Sequence, residues 1–315
     1  MRAAADMTAA ICLVGLPRML HQSRWDTHRR AFLNSLLAGG MHAELFFVTS
    51  AMEFDAARYR RVVANAYDAP VASVRAFNHS RSARAASMAR CRTDGAPYVR
   101  GGDAASAFYV QADKAKACYD HVLHAEARRA HRFDYVVRVR VDWLFTSGPA
   151  LASLSDTRLV YARLRCFTVV GNQKTALPAS YMSYNFPTGV PEVSAKHHNC
   201  RVPSQFLDDG FVVAPRESAD ALFVGAHALP CPHEDAETLS FVRAQCAGLH
   251  WPECYLQAAL HRAGRPAVGP IPVDWHFPGW SVMEQGCEGL SCSWNHPAHL
   301  APQSNRSVHS RVLSA

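Results

Sequence analysis

Apolar runs alternate with amphipathic segments through the first part of the chain. Ala10–Gly15 and Ala43–Thr49 are almost continuously apolar, which is the pattern of strands buried on both faces of a sheet. Arg24–Leu37 and Asp55–Tyr67 carry apolar residues at helical spacing, and Gly39-Gly40 follows the first of them as a typical helix end. The pattern therefore predicts strand, helix, strand, helix and strand, at Ala10–Gly15, Arg24–Leu37, Ala43–Thr49, Asp55–Tyr67 and Pro70–Phe77.

The alternation continues between two long polar stretches, Asn78–Asp103 and Thr175–Ser204, which we predict to be surface loops. Ala107–His131 is the longest helical pattern, and it leads directly into the strand Phe133–Phe145. Further strands are predicted at Arg158–Val169, Phe211–Ala214 and Val268–Val273, and further helices at Ser218–His227, Glu237–Ala247 and Pro252–Ala263. Alternating strands and helices predict an α/β fold with parallel pairing, in which ligands bind at the carboxyl ends of the strands.

The strand around Tyr135–Trp143 carries charges where a buried strand normally carries none. Because side chains alternate across a strand, Arg138, Arg140 and Asp142 share one face. An inner strand of a parallel sheet is apolar on both faces, so these charges require water, a partner or a ligand. Aspartate suits a divalent cation and arginine suits phosphate oxygens. An edge strand or an internal Arg–Asp ion pair would explain the same pattern.

The charge balance favours anionic ligands without indicating nucleic acid. The 315 residues include 33 Lys and Arg against 26 Asp and Glu, which gives a formal charge of +7. Only four of the basic residues are lysines. The charges are spread along the chain and do not interleave with aromatic residues as in a single-strand binding surface, so we expect no nucleic-acid partner.

Several protein classes lack their sequence signals here. Hydrophobic residues make up 49% of the chain, but the early apolar run Ala9–Leu16 is far shorter than a membrane span of about 20 residues. We therefore expect no transmembrane segment in this chain. The sequence has no Walker A motif, no Gly-x-Gly-x-x-Gly after the first strand and no Gly-x-Ser-x-Gly elbow. These absences argue against a P-loop enzyme, a dinucleotide enzyme and an ordinary α/β-hydrolase.

The ten cysteines do not form a recognisable zinc or redox motif. There is no Cys-x-x-Cys pair. Cys12, Cys118 and Cys166 fall inside apolar strand or helix patterns, where we expect them to be unbonded and to pack as small hydrophobic side chains. Cys287 and Cys292 are close in a glycine-containing stretch and are candidates for a bridge.

Five segments, of which a helix and the strand directly after it are contiguous, resemble nucleotide-sugar-dependent glycosyltransferases of the GT-A type. The helix KACYDHVLHAEARRAHRF and the strand DYVVRVRVDWLF are similar to poorly characterised eukaryotic and algal members whose strand reads Tyr-x-x-Arg-x-Arg-Pro-Asp. ICLVGLPR resembles the first strand and its Gly-x-x-Arg turn. DDGFVVAPRESADALF resembles the strand and helix after the donor site, and WPECYLQAALHRAG resembles the Pro-Glu-x-x-Leu helix near the acceptor side. The resemblance covers roughly residues 10–275.

This resemblance implies a GT-A-like fold, with a mostly parallel central sheet flanked by helices. It implies a single domain over residues 10–296, divided into a nucleotide-binding half (10–145) and an acceptor half (146–296). Residues 1–9 would form an N-terminal extension, and residues 297–315 a polar tail.

The resemblance also implies a donor site. Arg18, Arg138, Arg140 and Asp142 would bind the nucleotide diphosphate, and Asp142 with His276 would hold Mn²⁺ or Mg²⁺. The family commonly carries Asp-x-Asp at the metal, whereas this chain reads Arg-Val-Asp. A single carboxylate binds a divalent cation weakly unless other ligands join it, and Arg140 would itself offset phosphate charge. Metal-dependent and metal-free binding both stay open.

The acceptor side carries two candidate catalytic carboxylates. Asp208 and Asp209 are expected just before the strand Phe211–Ala214, where adjacent side chains point to opposite faces, so only one can serve the site. By resemblance Asp209 contacts the acceptor or acts as the base, and an Asx turn is the alternative. Glu253 matches the Pro-Glu-x-x-Leu helix, although a carboxylate at a helix start is also favoured by the helix dipole.

Two functions remain after these observations. In the first, the protein is a glycosyltransferase that moves a hexosyl or related group from a nucleotide-diphosphate donor to a hydroxyl acceptor, such as a glycan. In the second, it is a catalytically inactive GT-A-like protein that binds a nucleotide or glycan, or acts as a scaffold. The resemblance implies the Golgi lumen, and the sequence leaves open whether transfer retains or inverts configuration.

Overall fold

The computed structural model describes the chain in segments: residues 6–15, 17, 20–49, 54–77, 104–141, 143–154, 156–166, 183–184, 191–192, 205–229, 235–245, 252–265, 268–270 and 274–276. At several positions within these segments only the backbone is described. The predicted loops Asn78–Asp103 and Thr175–Ser204 and the predicted tail lie wholly or mainly outside the described residues, as do Cys287 and Cys292.

The described strands and helices follow the predicted order closely. The strands are β1 (Thr8–Val14), β2 (His42–Thr49), β3 (Val71–Ala76), β4 (Tyr135–Arg140), β5 (Leu144–Ser147), β6 (Val160–Cys166), β7 (Ser183–Tyr184), β8 (Pro191–Glu192), β9 (Gln205–Pro215), β10 (Val268–Pro270) and β11 (Asp274–His276). The helices are α1 (Asp26–Leu36), α2 (Ala56–Tyr67), α3 (Ala104–Arg129), α4 (Arg216–Asp220), α5 (Ala226–Ala228), α6 (Ala236–Gln245) and α7 (Pro252–Arg262). A π-helical turn over Ala221–Gly225 joins α4 to α5.

The fold is α/β, with a mixed and mostly parallel sheet flanked by helices, as the sequence predicts. Seven of the described strands form one sheet in the order β10-β6-β9-β4-β1-β2-β3. β4, β1, β2 and β3 are parallel to one another, and β10 is parallel to β6. β9 is antiparallel to both of its neighbours, β4 and β6.

Each face of the sheet is covered by helices. On one face, Cys12, Phe46 and Val136 pack against α3, α4, α5, α6 and α7. On the other face, Ile11, Phe47 and Val137 pack against α1 and α2. Successive strand residues therefore belong to different cores, which is the reason that β1 and β2 are apolar at nearly every position.

Two strand predictions are corrected by the structure. The single strand expected over Phe133–Phe145 is two strands, because β4 ends at Arg140 and β5 leaves the main sheet to pair with β11. The strand expected over Phe211–Ala214 begins earlier, at Gln205, so Asp208 and Asp209 lie within β9 rather than before it. In both cases pairing with distant segments decides where the strand begins or ends, and the local pattern of hydrophobic residues does not predict that pairing.

The cysteine prediction is wrong for Cys12 and Cys118. They form a disulfide between β1 and α3, with a Cα–Cα distance of 5.9 Å and a sequence separation of 106 residues. Both residues are fully buried. Their apolar surroundings are correctly predicted, but nothing local in the sequence brings these two positions together.

Candidate functional site

Arg138 is a buried cation inside the central sheet. β4 lies between β1 and β9, so the edge-strand explanation for its charges is wrong. Arg138 is only 3% exposed, and it is paired in register with Cys12 and Val212. Its Nη2 donates a hydrogen bond of 2.8 Å to Gln111 Oε1 on α3. Burying a guanidinium is costly unless it meets polar groups, so this arginine marks a polar region in an otherwise apolar layer.

Arg140 extends the polar region to the carboxyl end of β4. It is opposite Val14, the last residue of β1, and it is half-buried. Its guanidinium carbon lies 5.2 Å from the centre of the Trp143 ring, which is a cation–π contact. Because Arg138 and Arg140 are two residues apart in one strand, they lie on the same face, about 7 Å apart along the strand.

Helix α3 contributes three further polar residues that the sequence analysis did not assign. Gln111 is half-buried, whereas Asp113 and Lys114 are 4% and 8% exposed. Asp113 Oδ1 lies 3.3 Å from Nε2 of His227 in α5, and the His227 side chain is 37% exposed. A signal for Gln111 and Lys114 was present, because they share a helical face with Cys118, a predicted core residue.

Of the remaining predicted donor-site residues, the structure describes only the backbone of His276. Arg18 and Asp142 lie outside the described residues. His276 ends β11, and its backbone pairs with Leu144 of β5, only two residues after Asp142 in the chain. The sequence analysis predicted no strand after Val268–Val273, whereas His276 belongs to a further strand, β11, which pairs with β5.

The backbone positions of both candidate catalytic carboxylates also lie at this edge. Phe211 pairs with Val139, so Asp209, two residues earlier in the antiparallel β9, lies near the carboxyl end of β4. Glu253 is the second residue of α7, whose other end leads into the parallel strand β10. The start of α7 is therefore at the carboxyl edge. Only the backbone is described at Asp209, Glu253 and His276.

Two buried polar atoms belong to His21, which follows β1, and to Thr49, the last residue of β2 on the opposite face of the sheet. In the described parts of the chain, neither His21 Nε2 nor Thr49 Oγ1 has a hydrogen-bond partner. Burial lowers the pKa of His21, and the positive charges of Arg58 and Arg29 lower it further, so the imidazole is neutral at pH 7. A neutral imidazole and a hydroxyl can each donate or accept a hydrogen bond from a ligand or a water molecule.

A cavity of about 300 Å³ lies at the other end of the sheet. It is lined by residues at the start of β1 and β2, among them Thr8, His42 and Ala43, and by Asp68 and Phe133. Ligands of open α/β sheets bind at the carboxyl ends of the strands, so we place the candidate site at Arg138 and Arg140 rather than in this cavity.

The chain matches no protein-family model and no curated protein sequence. No helix in the described part of the chain is both long enough and apolar enough to cross a bilayer. Over the same residues, no three His, Cys, Asp or Glu side chains gather in an arrangement that would hold a metal ion.

Asp235 caps the N-terminal end of α6. Its Oδ2 accepts a hydrogen bond of 3.2 Å from Thr238 N, and it also contacts Thr238 Oγ1 and Arg262 Nη1. Burial acts to raise the pKa of Asp235, but the hydrogen bonds from Thr238 and Arg262 outweigh it, so the pKa is lowered.

We expect Asp235→Ala to lower the free energy of unfolding by about 1–2 kcal/mol at neutral pH, because α6 loses its cap. The folded-state pKa lies below the unfolded value, so this contribution is fully present above about pH 4 and is lost as the pH falls through the folded pKa. Thermal unfolding of both proteins from pH 7 down to about pH 2.5 measures it. Glu237→Ala, which removes an exposed carboxylate 3.5 Å from Arg262, is the control. A difference in stability between the wild type and Asp235→Ala that stays constant across this pH range would contradict the prediction.

Proposed function

We propose that this protein is a GT-A-like glycosyltransferase that transfers a sugar from a nucleotide-diphosphate donor to a hydroxyl acceptor. The observation that carries the proposal is the buried Arg138 in an inner strand, hydrogen-bonded to Gln111 and followed by Arg140 at the carboxyl end of the same strand. Guanidinium groups bind phosphate oxygens with two parallel hydrogen bonds. A diphosphate is the part of the proposed donor that such a pair would recognise.

In this proposal the arginines act mainly on the leaving group. Cleavage of the sugar–phosphate bond leaves an additional negative charge on the diphosphate, and Arg138 and Arg140 would stabilise that charge from fixed positions. Arg138 is held in place by Gln111, so little reorganisation is needed as the charge develops. Asp209 or Glu253 would accept the proton of the acceptor hydroxyl if transfer inverts configuration.

Asp142 and His276 are the residues proposed to hold Mn²⁺ or Mg²⁺. The pairing of β11 with β5 supports this pair, because the His276 backbone pairs with Leu144, which follows Asp142 by two residues in the chain. A carboxylate and an imidazole both suit Mn²⁺. The ion would offset the charge of the diphosphate.

The Cys12–Cys118 disulfide supports the compartment that the resemblance implies. Disulfides persist in oxidising compartments and are rare in the cytosol, where thiols are kept reduced. We therefore propose that this chain matures in an oxidising lumen, such as that of the secretory pathway.

A binding or scaffold role without catalysis is the second candidate. Arg138 already has a protein partner in Gln111, which is what a purely structural arginine would show. The Arg-Val-Asp sequence at the end of β4 also has one acid where the family commonly has two. Binding without turnover of any nucleotide sugar would identify this role.

The proposal predicts that a nucleoside diphosphate stabilises the protein through Arg138. We expect a selective ligand at about 100 times its Kd to raise the free energy of unfolding by about 2.7 kcal/mol, because it binds only the folded state. Thermal unfolding with a panel of nucleoside diphosphates and their sugars, with and without Mn²⁺, measures this stabilisation. Arg138→Met and Asp142→Ala should lose most of it.

Two controls complete this experiment. Arg132→Met removes an exposed arginine at the opposite edge and should leave the stabilisation unchanged. If Arg138→Met does not fold, Arg140→Met tests the same site, because Arg140 is only half-buried. Release of free nucleoside diphosphate from a sugar donor then separates a transferase from a binding protein. Failure of every nucleotide to stabilise the wild type would overturn the donor site.

A further inference from the structure

Three contacts fix the direction of α3 across the sheet. Cys118 is bonded to Cys12 of β1, which is paired in register with Arg138, and Gln111, seven residues earlier in α3, accepts a hydrogen bond from the Arg138 side chain. Glu126 accepts a hydrogen bond of 3.0 Å from Phe133 N, just before β4 begins. Helix α3 therefore runs antiparallel to β1 and β4, and its N-terminal end lies at the carboxyl edge with the two arginines.

Lys114 lies on the face of α3 that meets this part of the sheet. It is three residues after Gln111 and four before Cys118, and residues at these spacings share one face of a helix. Lys114 is 8% exposed. Lys116, two residues later, points elsewhere: its side chain is 28% exposed, and Nζ lies 2.8 Å from Asp120 Oδ1 on the same helix.

From helix geometry we expect the Lys114 ammonium to extend towards the arginines. Helical side chains lean towards the N-terminus of their helix, which for α3 is the carboxyl edge of the sheet. The disulfide one turn further on fastens this part of the helix to β1, directly beside Arg138 in the register. This part of α3 is therefore held by a covalent anchor on one side of Lys114 and by the Gln111–Arg138 hydrogen bond on the other.

A third cation changes what the site can hold. A single guanidinium suits one phosphate group, whereas a diphosphate carries two groups and up to three negative charges. Arg138, Arg140 and Lys114 supply three positive charges from two elements on one face of the sheet. Lysine acts as a point charge that can contact both phosphates, beside the planar forks of the arginines.

We propose that Lys114 is a binding residue for the diphosphate group of the ligand, acting together with Arg138 and Arg140. This assignment rests on the proposed function, because it concerns the same site. The sequence analysis assigned no residue of α3 to this site, and Lys114 adds one.

Binding of inorganic pyrophosphate, measured by calorimetry, tests the assignment directly. Lys114→Met keeps the length of the side chain and removes its charge, and we expect it to weaken pyrophosphate binding about tenfold to a hundredfold. Lys116→Met is the matched control in the same helix and should change the affinity less than about twofold. Lys114→Arg should recover part of the loss. The ratio of the Kd of each variant to the Kd of the wild type should be the same when a nucleoside diphosphate replaces pyrophosphate.

The chain offers a second readout that needs no Lys114 variant. It contains only Lys114, Lys116, Lys174 and Lys196, so lysine labelled with ¹³C at Cε gives four signals. Met variants of the other three lysines assign these signals by elimination. We expect pyrophosphate to move the Lys114 signal and to leave the Lys116 signal in place.

The outcomes separate the two proposals. If the wild type binds neither pyrophosphate nor any nucleoside diphosphate, the proposed donor site is wrong. If the wild type binds and Lys114→Met binds within about twofold as well, only the assignment of Lys114 is wrong. If Lys114→Met does not fold, an unmoved Lys114 signal in the wild type overturns the assignment, and a shifted one supports it.

Discussion

Cys118→Ala lowers the free energy of unfolding by about 5 kcal/mol relative to the oxidised wild type, on the chain-entropy model for a loop of this length. The disulfide closes a loop of 106 residues between β1 and α3, so its loss frees a large part of the unfolded chain. Equilibrium unfolding in urea measures the change. Adding a reductant that reaches the unfolded state should lower the stability of the wild type by a similar amount and leave the variant unchanged.

Cys254→Ala is the matched control for this prediction. Cys254 is fully buried in the same core and is not disulfide-bonded, so its replacement removes a buried sulfur without opening a loop. We expect a loss of about 1 kcal/mol from this variant. Equal losses in the two variants, or no effect of the reductant on the wild type, would show that the disulfide contributes nothing to stability. The disulfide also affects the candidate site, because it anchors α3, which carries Gln111 and Lys114. Wild-type protein that is reduced but still folded should therefore bind pyrophosphate more weakly.

Glu126→Ala is expected to cost about 3–5 kcal/mol of stability, because it leaves a buried guanidinium without its carboxylate. Arg216 Nε lies 2.8 Å from Glu126 Oε1 and Nη2 lies 2.9 Å from Oε2, and the two side chains are 11% and 7% exposed. Glu126 also accepts the hydrogen bond from Phe133 N, so one carboxylate joins the end of α3, the entry to β4 and the start of α4.

The exposed pair of Arg158 and Asp156 provides the comparison. Its N–O distance is also 2.8 Å, but the Arg158 side chain is 80% exposed, so Asp156→Ala should change the stability little. Equilibrium unfolding in urea measures how much stability each of the two variants loses. Similar losses for Glu126→Ala and Asp156→Ala would contradict the conclusion that burial makes the Glu126–Arg216 pair important. Because the Glu126–Arg216 pair lies at the amino edge, Glu126→Ala that remains folded should still bind the ligand of the carboxyl edge.

Part of the candidate site could be predicted from the sequence, because it depends on local alternation. Arg138, Arg140 and Asp142 were singled out because three charges on one face of an apolar strand are unusual, and the structure shows Arg138 buried against α3. Gln111 and Lys114 were missed, although they share a helical face with Cys118, because the sequence does not show which part of the sheet that face meets. The distance from Gln111 to Arg138 is 27 residues along the chain but 2.8 Å between hydrogen-bonding atoms.

The sequence by itself determined the order of strands and helices, the ends of several helices and the parallel arrangement of the first four main strands. These features follow from side-chain periodicity, from Gly39 and Gly40 with positive φ, and from the length of the helices between strands. Only the tertiary structure decided that β9 inserts antiparallel between β4 and β6, that Cys12 meets Cys118, and that β11 returns to β5. These pairings join positions far apart in the chain, and their free energy comes from packing and hydrogen bonds that exist only once the whole sheet has formed.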